Sequence, residues 1–498
     1  MKVVIIGAGL GGLSFGACAA RDGHEVVLID RNSAPGGVMT LAHEGGFSFE
    51  QGPLILTDLL EEEPVGSFLS SLGIRLETVR GDRGLSTPDF DLLPPEDYVP
   101  DWRRKRLEEL FPADRKGIRA YYRFYDALME LRFLSGQKKS PLNRLRTLRA
   151  YLRIRPYENM NCRAFTEKLF SDERLRLVFN GILADFCADP EEVQCFTLPF
   201  VNTETAFDKR IPTEKNGRLY YPSYRYIVGG CQKLPEALCA YILGRGGQFL
   251  PQTTAEKVLI EGGRAVGVRL ADGRDLEADL VVSCGSARDF FTEQVGEEHL
   301  DEEYRKILRE FRPMEAVFML HLGVDYDPSA FQKQSLCYYY GSYDLHAAVE
   351  RLRAGVYHRG EDGYLIYFPD RHATDFAPPG CHCVTVYTVC PDRLREGDWE
   401  SRKEAFAEEL IRLAETHLPG LSEHIVAKKI VTAEDYRRLT HMKKSSFGGT
   451  VPVWKQRNPP HITPVKGLVF VGQQSENGGG VPIVLLGALD AYRKAMLR

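Results

Sequence analysis

Short apolar runs broken by glycine-rich turns mark both ends of this chain. Val3-Val4-Ile5-Ile6 has the length and β-branched content of a buried strand, and Gly7-Ala8-Gly9-Leu10-Gly11-Gly12 follows it directly. A second run, Val26-Val27-Leu28-Ile29, ends on Asp30. Strand, glycine turn, helix, strand and acid at this spacing form a dinucleotide-binding βαβ unit. Gly7 allows the tight turn, Gly9 lets the backbone approach a pyrophosphate, and Gly12 lets the helix pack closely on the sheet. The helix N-terminus offers free N–H groups to phosphate. Asp30 offers a carboxylate to a ribose diol.

The same patterning organises the rest. Phe47 and Phe49 alternate with polar residues between Gly45-Gly46 and Gly52-Pro53, which fits a short strand flanked by turns. Residues 60–220 read mostly helical, with breaks at Pro94-Pro95, Pro141 and Pro156. From Gly229 to Ser286 the pattern predicts a helix over Leu234–Leu243, strands at Lys257–Ile260 and Ala265–Leu270, and a buried strand within Ala278–Ser283. Residues 300–450 mix strands (Ala316–Leu322, Cys383–Cys390) with helices such as Glu404–Thr416. Finally, Leu468-Val469-Phe470-Val471 runs into Gly472, and Gly478-Gly479-Gly480-Val481-Pro482 opens an apolar helix. A second helix N-terminus at a glycine turn suits the same anionic ligand, so the two terminal regions read as halves of one nucleotide site.

A length of 498 residues accommodates two or three domains. No apolar run approaches the roughly 18 residues needed to span a bilayer. A signal peptide is not expected, because five glycines between positions 7 and 16 weaken such a helix and cleavage would destroy the βαβ unit. The net charge of −5 makes no case for nucleic acid, yet Trp102–Arg155 carries 16 Lys or Arg against 5 Asp or Glu. Within it Leu145, Leu148 and Leu152 share one helical face, surrounded by Arg144, Arg146, Arg149 and Arg153. Such a segment is either a membrane-surface contact or a solvated charged face over an ordinary core helix. The eleven cysteines form no CxxC pair and mostly sit in apolar runs, as free thiols do in a reducing cytoplasm. Cys381-His382-Cys383 reads as strand packing. No metal site and no disulfide framework are expected, and no NAD(P)H domain, since there is no second complete GxGxxG unit.

Taken together, these blocks resemble the FAD-dependent phytoene desaturase family, which includes carotene isomerases and retinol saturase, within the amine-oxidase-like flavoproteins. The resemblance rests on the first glycine turn with Asp30 and Gly36-Gly37, on Gly46-Phe47-Ser48-Phe49-Glu50-Gln51-Gly52-Pro53, and on Val471 to Pro482. Gly229-Gly230 with its following helix adds to it. The fold it implies is α/β: a Rossmann-like, GR2-type FAD-binding domain assembled from 1–95, 221–295 and 451–498. Into it are inserted a helical, substrate- or membrane-facing segment (96–220) and a substrate domain of sheet plus helices (296–450). The residues it assigns to FAD are Gly7, Ala8, Gly9, Leu10, Gly11, Gly12, Asp30, Arg31, Gly37, Val38, Gly52, Pro53, Leu54, Ala255, Gly472, Gln473, Gly480, Val481 and Pro482. Three positions depart from the family pattern. Val38 stands where many members carry Arg or Lys, Tyr224–Val228 lengthens a spacing, and Gln473-Gln474-Ser475-Glu476-Asn477 replaces a different turn.

What the resemblance implies is an FAD-dependent oxidoreductase acting on an extended apolar polyene or isoprenoid by desaturation, saturation or isomerisation. Two other readings stand beside it: an amine-oxidase-like enzyme on a smaller polar substrate, and a non-enzymatic prenyl-binding protein. No catalytic residue is assigned. Gln51, Gln473, Glu476 and Asn477 are candidate polar contacts near the flavin. Glu50 and Glu476 are candidate acid–base groups, with a structural role favoured for both. His441 with Lys443 and Lys444 is a candidate substrate contact, with a solvated loop the blander reading. The electron donor or acceptor is open. A cytoplasmic location is expected, with peripheral membrane contact through 102–156.

Overall fold

Five short strands from distant parts of the chain form one parallel sheet in the order Gln248–Leu250, Glu25–Ile29, Lys2–Ile6, Leu280–Ser283, Leu468–Phe470. The computed structural model describes residues 1–444 and 447–497. The three inner strands, Glu25–Ile29, Lys2–Ile6 and Leu280–Ser283, are rich in β-branched residues, as suits a parallel sheet covered on both faces, and Val3, Val4 and Ile5 are fully buried. The helix Leu10–Arg21 lies on one face, packed between the helices Lys233–Gly244 and Val481–Met496. Its glycines and alanines allow that double contact. An antiparallel sheet of Ala255–Glu261, Arg264–Leu270 and Asp275–Glu277, together with Phe290 and Phe291, shares the core on the other face.

A second sheet holds seven strands in the order Ile425–Val431, Ala316–Val324, His382–Cys390, Tyr364–Tyr367, Leu336–Tyr339, Arg83–Ser86, Asp91–Leu92. All pairs are antiparallel except Leu336–Tyr339 with Arg83–Ser86. Alternation sorts its side chains: Phe318, Leu320 and Leu322 join a core with the helix Trp399–Glu415, while Val317 and Met319 join Leu54, Leu336, Leu365 and Tyr387. Of that second group, Leu54, Leu336, Leu365 and Tyr387 line the site described below. The segment expected over 1–95 is divided by this sheet, because Arg83–Ser86 and Asp91–Leu92 pair within it. Strands of four and two residues are too short to carry a readable period.

The helical layer comprises Trp102–Leu110, Arg115–Ser135, Pro141–Ile154, Cys162–Leu169 and Glu173–Asn180 around an aromatic core that includes Tyr121, Phe124, Phe165 and Phe179. The mostly helical reading of 60–220 misses the strands Thr78–Arg80, Arg83–Ser86 and Asp91–Leu92. The basic stretch is not one surface. Arg103 is fully buried, pairing with Glu204 at 2.7 Å and lying 3.9 Å from the Phe207 ring. Arg119 pairs with Glu108 and Arg146 with Glu130. In Pro141–Ile154 only Ala150 and Ile154 are buried, and Leu142, Leu145, Leu148 and Leu152 are between 53% and 65% exposed. By helical geometry the leucines at 145, 148 and 152 lie opposite the buried side. The core-helix reading of these leucines therefore fails. Exposed Arg144, Arg149 and Arg153 make no ion pair among the described residues.

Candidate active site

The first glycine turn is shaped by contacts that leave no room for side chains. Gly7 turns with φ +98°, and a Cβ on Gly12 would lie 2.2 Å from the Gly7 carbonyl oxygen. Further along, a Cβ on Gly11 would lie 2.7 Å from Cα of Gly472. The N-terminal and C-terminal glycine turns thus touch each other, with Cys284 against both. Asp30 closes the unit: Oδ2 accepts the Ala8 amide at 2.7 Å and Oδ1 accepts the Asn32 amide at 2.8 Å. Gly36 donates to the Ala8 carbonyl at 2.8 Å, which fixes the second glycine pair against the first.

A continuous cavity of about 430 Å³ runs from this cradle to the underside of the seven-stranded sheet. Gly7, Gly9, Leu10, Gly11, Asp30, Arg31, Gly37, Val38, Gly52, Pro53, Leu54, Ala255, Gly472, Gln473, Gly480 and Val481 all line it. The helices starting at Leu10 and Val481 both point their N-termini at it, so free N–H groups and positive dipole ends converge on one volume. Ala8, Gly12 and Pro482 are expected contacts that stand outside the wall. Ala8 serves Asp30, Gly12 serves the helix–strand contact, and Pro482 occupies the first turn of the last helix. Two polar atoms, Ser283 Oγ and Gln294 Oε1, are buried without a hydrogen-bond partner among the described residues, and both residues line the cavity. Orphaned polar atoms beside a glycine cradle fit a polar ligand such as an adenine nucleotide.

Several other candidates lie elsewhere. Glu476 Oε1 accepts the His461 amide at 3.3 Å and the Lys494 ammonium at 2.9 Å, while Asn477 faces the His461 ring at 3.1 Å. Neither lines the cavity, and neither does Gln51, whose carbonyl accepts the Tyr436 hydroxyl at 2.7 Å. Glu50 is buried, and its Oε1 accepts the Cys231 amide at 2.8 Å. It ties the Phe47–Pro53 element to the Gly229-Gly230 turn, which is a structural task. His441 does line the cavity, but at the Asp30 end, where its ring meets Asn32 Oδ1 at 3.1 Å. Lys443 pairs with Glu293.

The inner end is built by residues that sequence reasoning did not single out. Ile55, Met314, Leu336, Leu365 and Phe447 make it apolar, and Asp185, Phe186, Tyr338 and Tyr387 complete it. The Tyr338 hydroxyl donates to Asp185 Oδ2 at 2.6 Å. Burial pushes the Asp185 carboxyl up to about 6, partly offset by that hydrogen bond and by the Arg83 charge. No motif surrounds Asp185; a lone acid in Leu183-Ala184-Asp185-Phe186 carries no local signal.

The model of the flavin-containing amine oxidoreductase family matches residues 10–491 of this chain. The chain belongs to that family. It is an FAD-dependent oxidoreductase, so the prenyl-binding reading without catalysis falls away. It is 24% identical over 524 residues to a chloroplastic prolycopene isomerase of Daucus carota, covering 99% of this chain and 79% of the relative. A lycopene-forming phytoene desaturase of Pseudescherichia vulneris is 24% identical over 505 residues, covering 98% of this chain and 97% of the relative. Among solved structures, an oxidoreductase from Methanosarcina mazei superposes with TM-score 0.63 at 20% identity, covering 99% of this chain and 100% of the other. Among the described residues no helix of this oxidoreductase is long and apolar enough to cross a membrane.

Proposed function

We propose that this FAD-dependent oxidoreductase acts on carbon–carbon bonds of an extended, carotenoid- or isoprenoid-like substrate, by desaturation, saturation or isomerisation. The observation that carries this reading is the continuity of one cavity from the glycine cradle to an inner wall of Leu54, Ile55, Met314, Leu336, Leu365 and Phe447. Such a wall favours a hydrocarbon through area removed from water and offers little to a small polar molecule. The names of the curated relatives point the same way. The cavity-lining glycines at 7, 9, 11, 37, 472 and 480, with Asp30, Arg31, Ala255, Val38, Pro53 and Leu54, would hold FAD. Bound there, FAD supplies two-electron exchange with carbon. The chain itself binds and orients: backbone N–H groups neutralise phosphate, and Asp30 is held rigid by Ala8 and Asn32 for the ribose hydroxyls. Val38 leaves no side-chain cation at its position, so Arg31 and the two helix N-termini would carry the phosphate charge.

A second reading has one observation in its favour: Asp185, Tyr338 and Tyr387 place a carboxylate among aromatic rings, which suits a cationic amine. Anaerobic mixing of the FAD-loaded protein with a panel of polyenes and amines separates the two. Bleaching of the flavin absorbance by a polyene is expected; bleaching by amines alone would replace the first reading with the second.

We also propose a peripheral membrane contact through Pro141–Ile154. Its outward leucines and unpaired arginines complement an anionic lipid surface.

A further inference from the structure

Asp185 stands in a wall shared by two cavities. One is the cofactor cavity described above. The other is lined by Leu177, Leu345, Val349, Leu352 and Val389, among others, and reaches Asp344, an exposed residue. Asp185, Tyr338, Leu365 and Tyr387 border both. Asp185 is carried on the turn Gly181–Phe186, which ends on Cys187 with a left-handed φ of 51°, a conformation that a non-glycine residue adopts only when its surroundings impose it. Tyr338, from the seven-stranded sheet, takes Oδ2, while Oδ1 makes no hydrogen bond among the described residues.

We propose that Asp185, oriented by Tyr338, is the proton-transfer residue of the carbon–carbon redox step and exchanges its proton with solvent through the second cavity. This rests on the substrate reading given above. In the oxidising direction one C–H hydrogen leaves the substrate with its electron pair to FAD. The adjacent carbon loses a proton to Oδ1, and the electrons of that second C–H bond become the new C=C bond. The substrate is oxidised, FAD is reduced and the carboxylate is protonated; saturation is the reverse. Burial holds the carboxyl up to about 6, near the range where acceptance and release are balanced. The groups facing it are Arg83, Cys187, Tyr224, Tyr338, Tyr340 and Tyr387. Of these only Arg83 is basic, and its Nη2 already donates to the Val201 carbonyl.

The test compares FAD-loaded wild type with Asp185→Asn, Asp185→Glu and Tyr338→Phe, each first shown to retain FAD and its thermal transition. Infrared titration without substrate is expected to show a carboxyl that titrates near pH ~6 in wild type, vanishes in Asp185→Asn and moves to higher pH in Tyr338→Phe. Cofactor reduction by a polyene is expected to slow about 100-fold or more in Asp185→Asn, with partial rescue in Asp185→Glu. The rate should lose its pH dependence in Asp185→Asn and shift its midpoint upward in Tyr338→Phe. Absence of the titrating carboxyl, or a wild-type rate and pH profile in Asp185→Asn, overturns the proposal. If amines alone reduce the wild type, the substrate reading falls. The proton-transfer role then stands if Asp185→Asn removes the same pH dependence from amine oxidation, and falls if it does not.

Discussion

Glu50 and the touching glycine turns show how single residues hold distant parts of the chain together. Glu50 is buried against the Cys231 amide, and burial pushes its carboxyl up to about 7. The folded chain therefore holds this proton more tightly than the unfolded chain. Its contribution is fully present below the ordinary glutamate range and is lost as pH rises through about 7. Glu50→Gln keeps an oxygen for the Cys231 amide and removes the charge. It is expected to flatten the pH dependence of unfolding between about pH 4.5 and 7, a change of about 3 kcal/mol, read by denaturant titration at several pH values. An unchanged slope would assign the pH dependence to another buried group such as Glu63, which burial also raises to about 7. At Gly472, with φ +99°, an added Cβ would sit 2.9 Å from Cys284 Sγ. Gly472→Ala is expected to weaken FAD binding by at least about tenfold, measured by fluorescence titration of the apoprotein, because each 1.4 kcal/mol of strain costs a factor of ten.

Among the elements, Pro141–Ile154 is the one whose fold-level role its own sequence left undecided. A leucine stripe at helical spacing is ordinarily the buried stripe. Here Ala150 and Ile154 take that role and the leucines face out. Burying a leucine is worth about 1.5–3 kcal/mol, and an arginine near an anionic surface about 1 kcal/mol. Leu145→Ser with Leu148→Ser is thus expected to lower binding to vesicles containing anionic lipid by at least about tenfold in co-sedimentation, with FAD content unchanged. Wild-type binding should weaken as salt rises. Equal sedimentation of the double variant and wild type would remove the membrane assignment. The buried Arg103 makes the converse point: part of this basic stretch is core, held by Glu204 and Phe207.

At the scale of the whole molecule, the cavity lined by the glycine turns joins parts of the chain far apart in sequence, since Gly11 and Gly472 are in contact and the last helix packs on the first. Ligand that binds only this closed arrangement stabilises it by mass action. FAD at a hundred times its dissociation constant is expected to add about 2.7 kcal/mol, visible as a raised Tm in the apoprotein titrated with FAD and reduced in Gly472→Ala. An unmoved Tm at saturating FAD would mean that FAD does not bind the folded chain in preference to the unfolded one. Much of this architecture was legible in the residues. The turn at Gly7, the close approach at Gly12 and the acid at position 30 are fixed within some thirty residues of chain, where residue type dictates backbone geometry directly. The C-terminal turn was legible for the same reason. Glu476 and Asn477 were misplaced because a turn's side chains can point to either side, and here Lys494 and His461 draw them away from the cavity. Asp185 and Tyr338 meet across 153 residues of sequence, and neither carries a local signal. Residue type along the chain was thus enough to read the glycine turns, the FAD class and the existence of apolar stripes. Only the tertiary structure decided what each stripe faces and which lone polar residues meet in the cavity, because periodicity specifies a face but long-range packing supplies its partner.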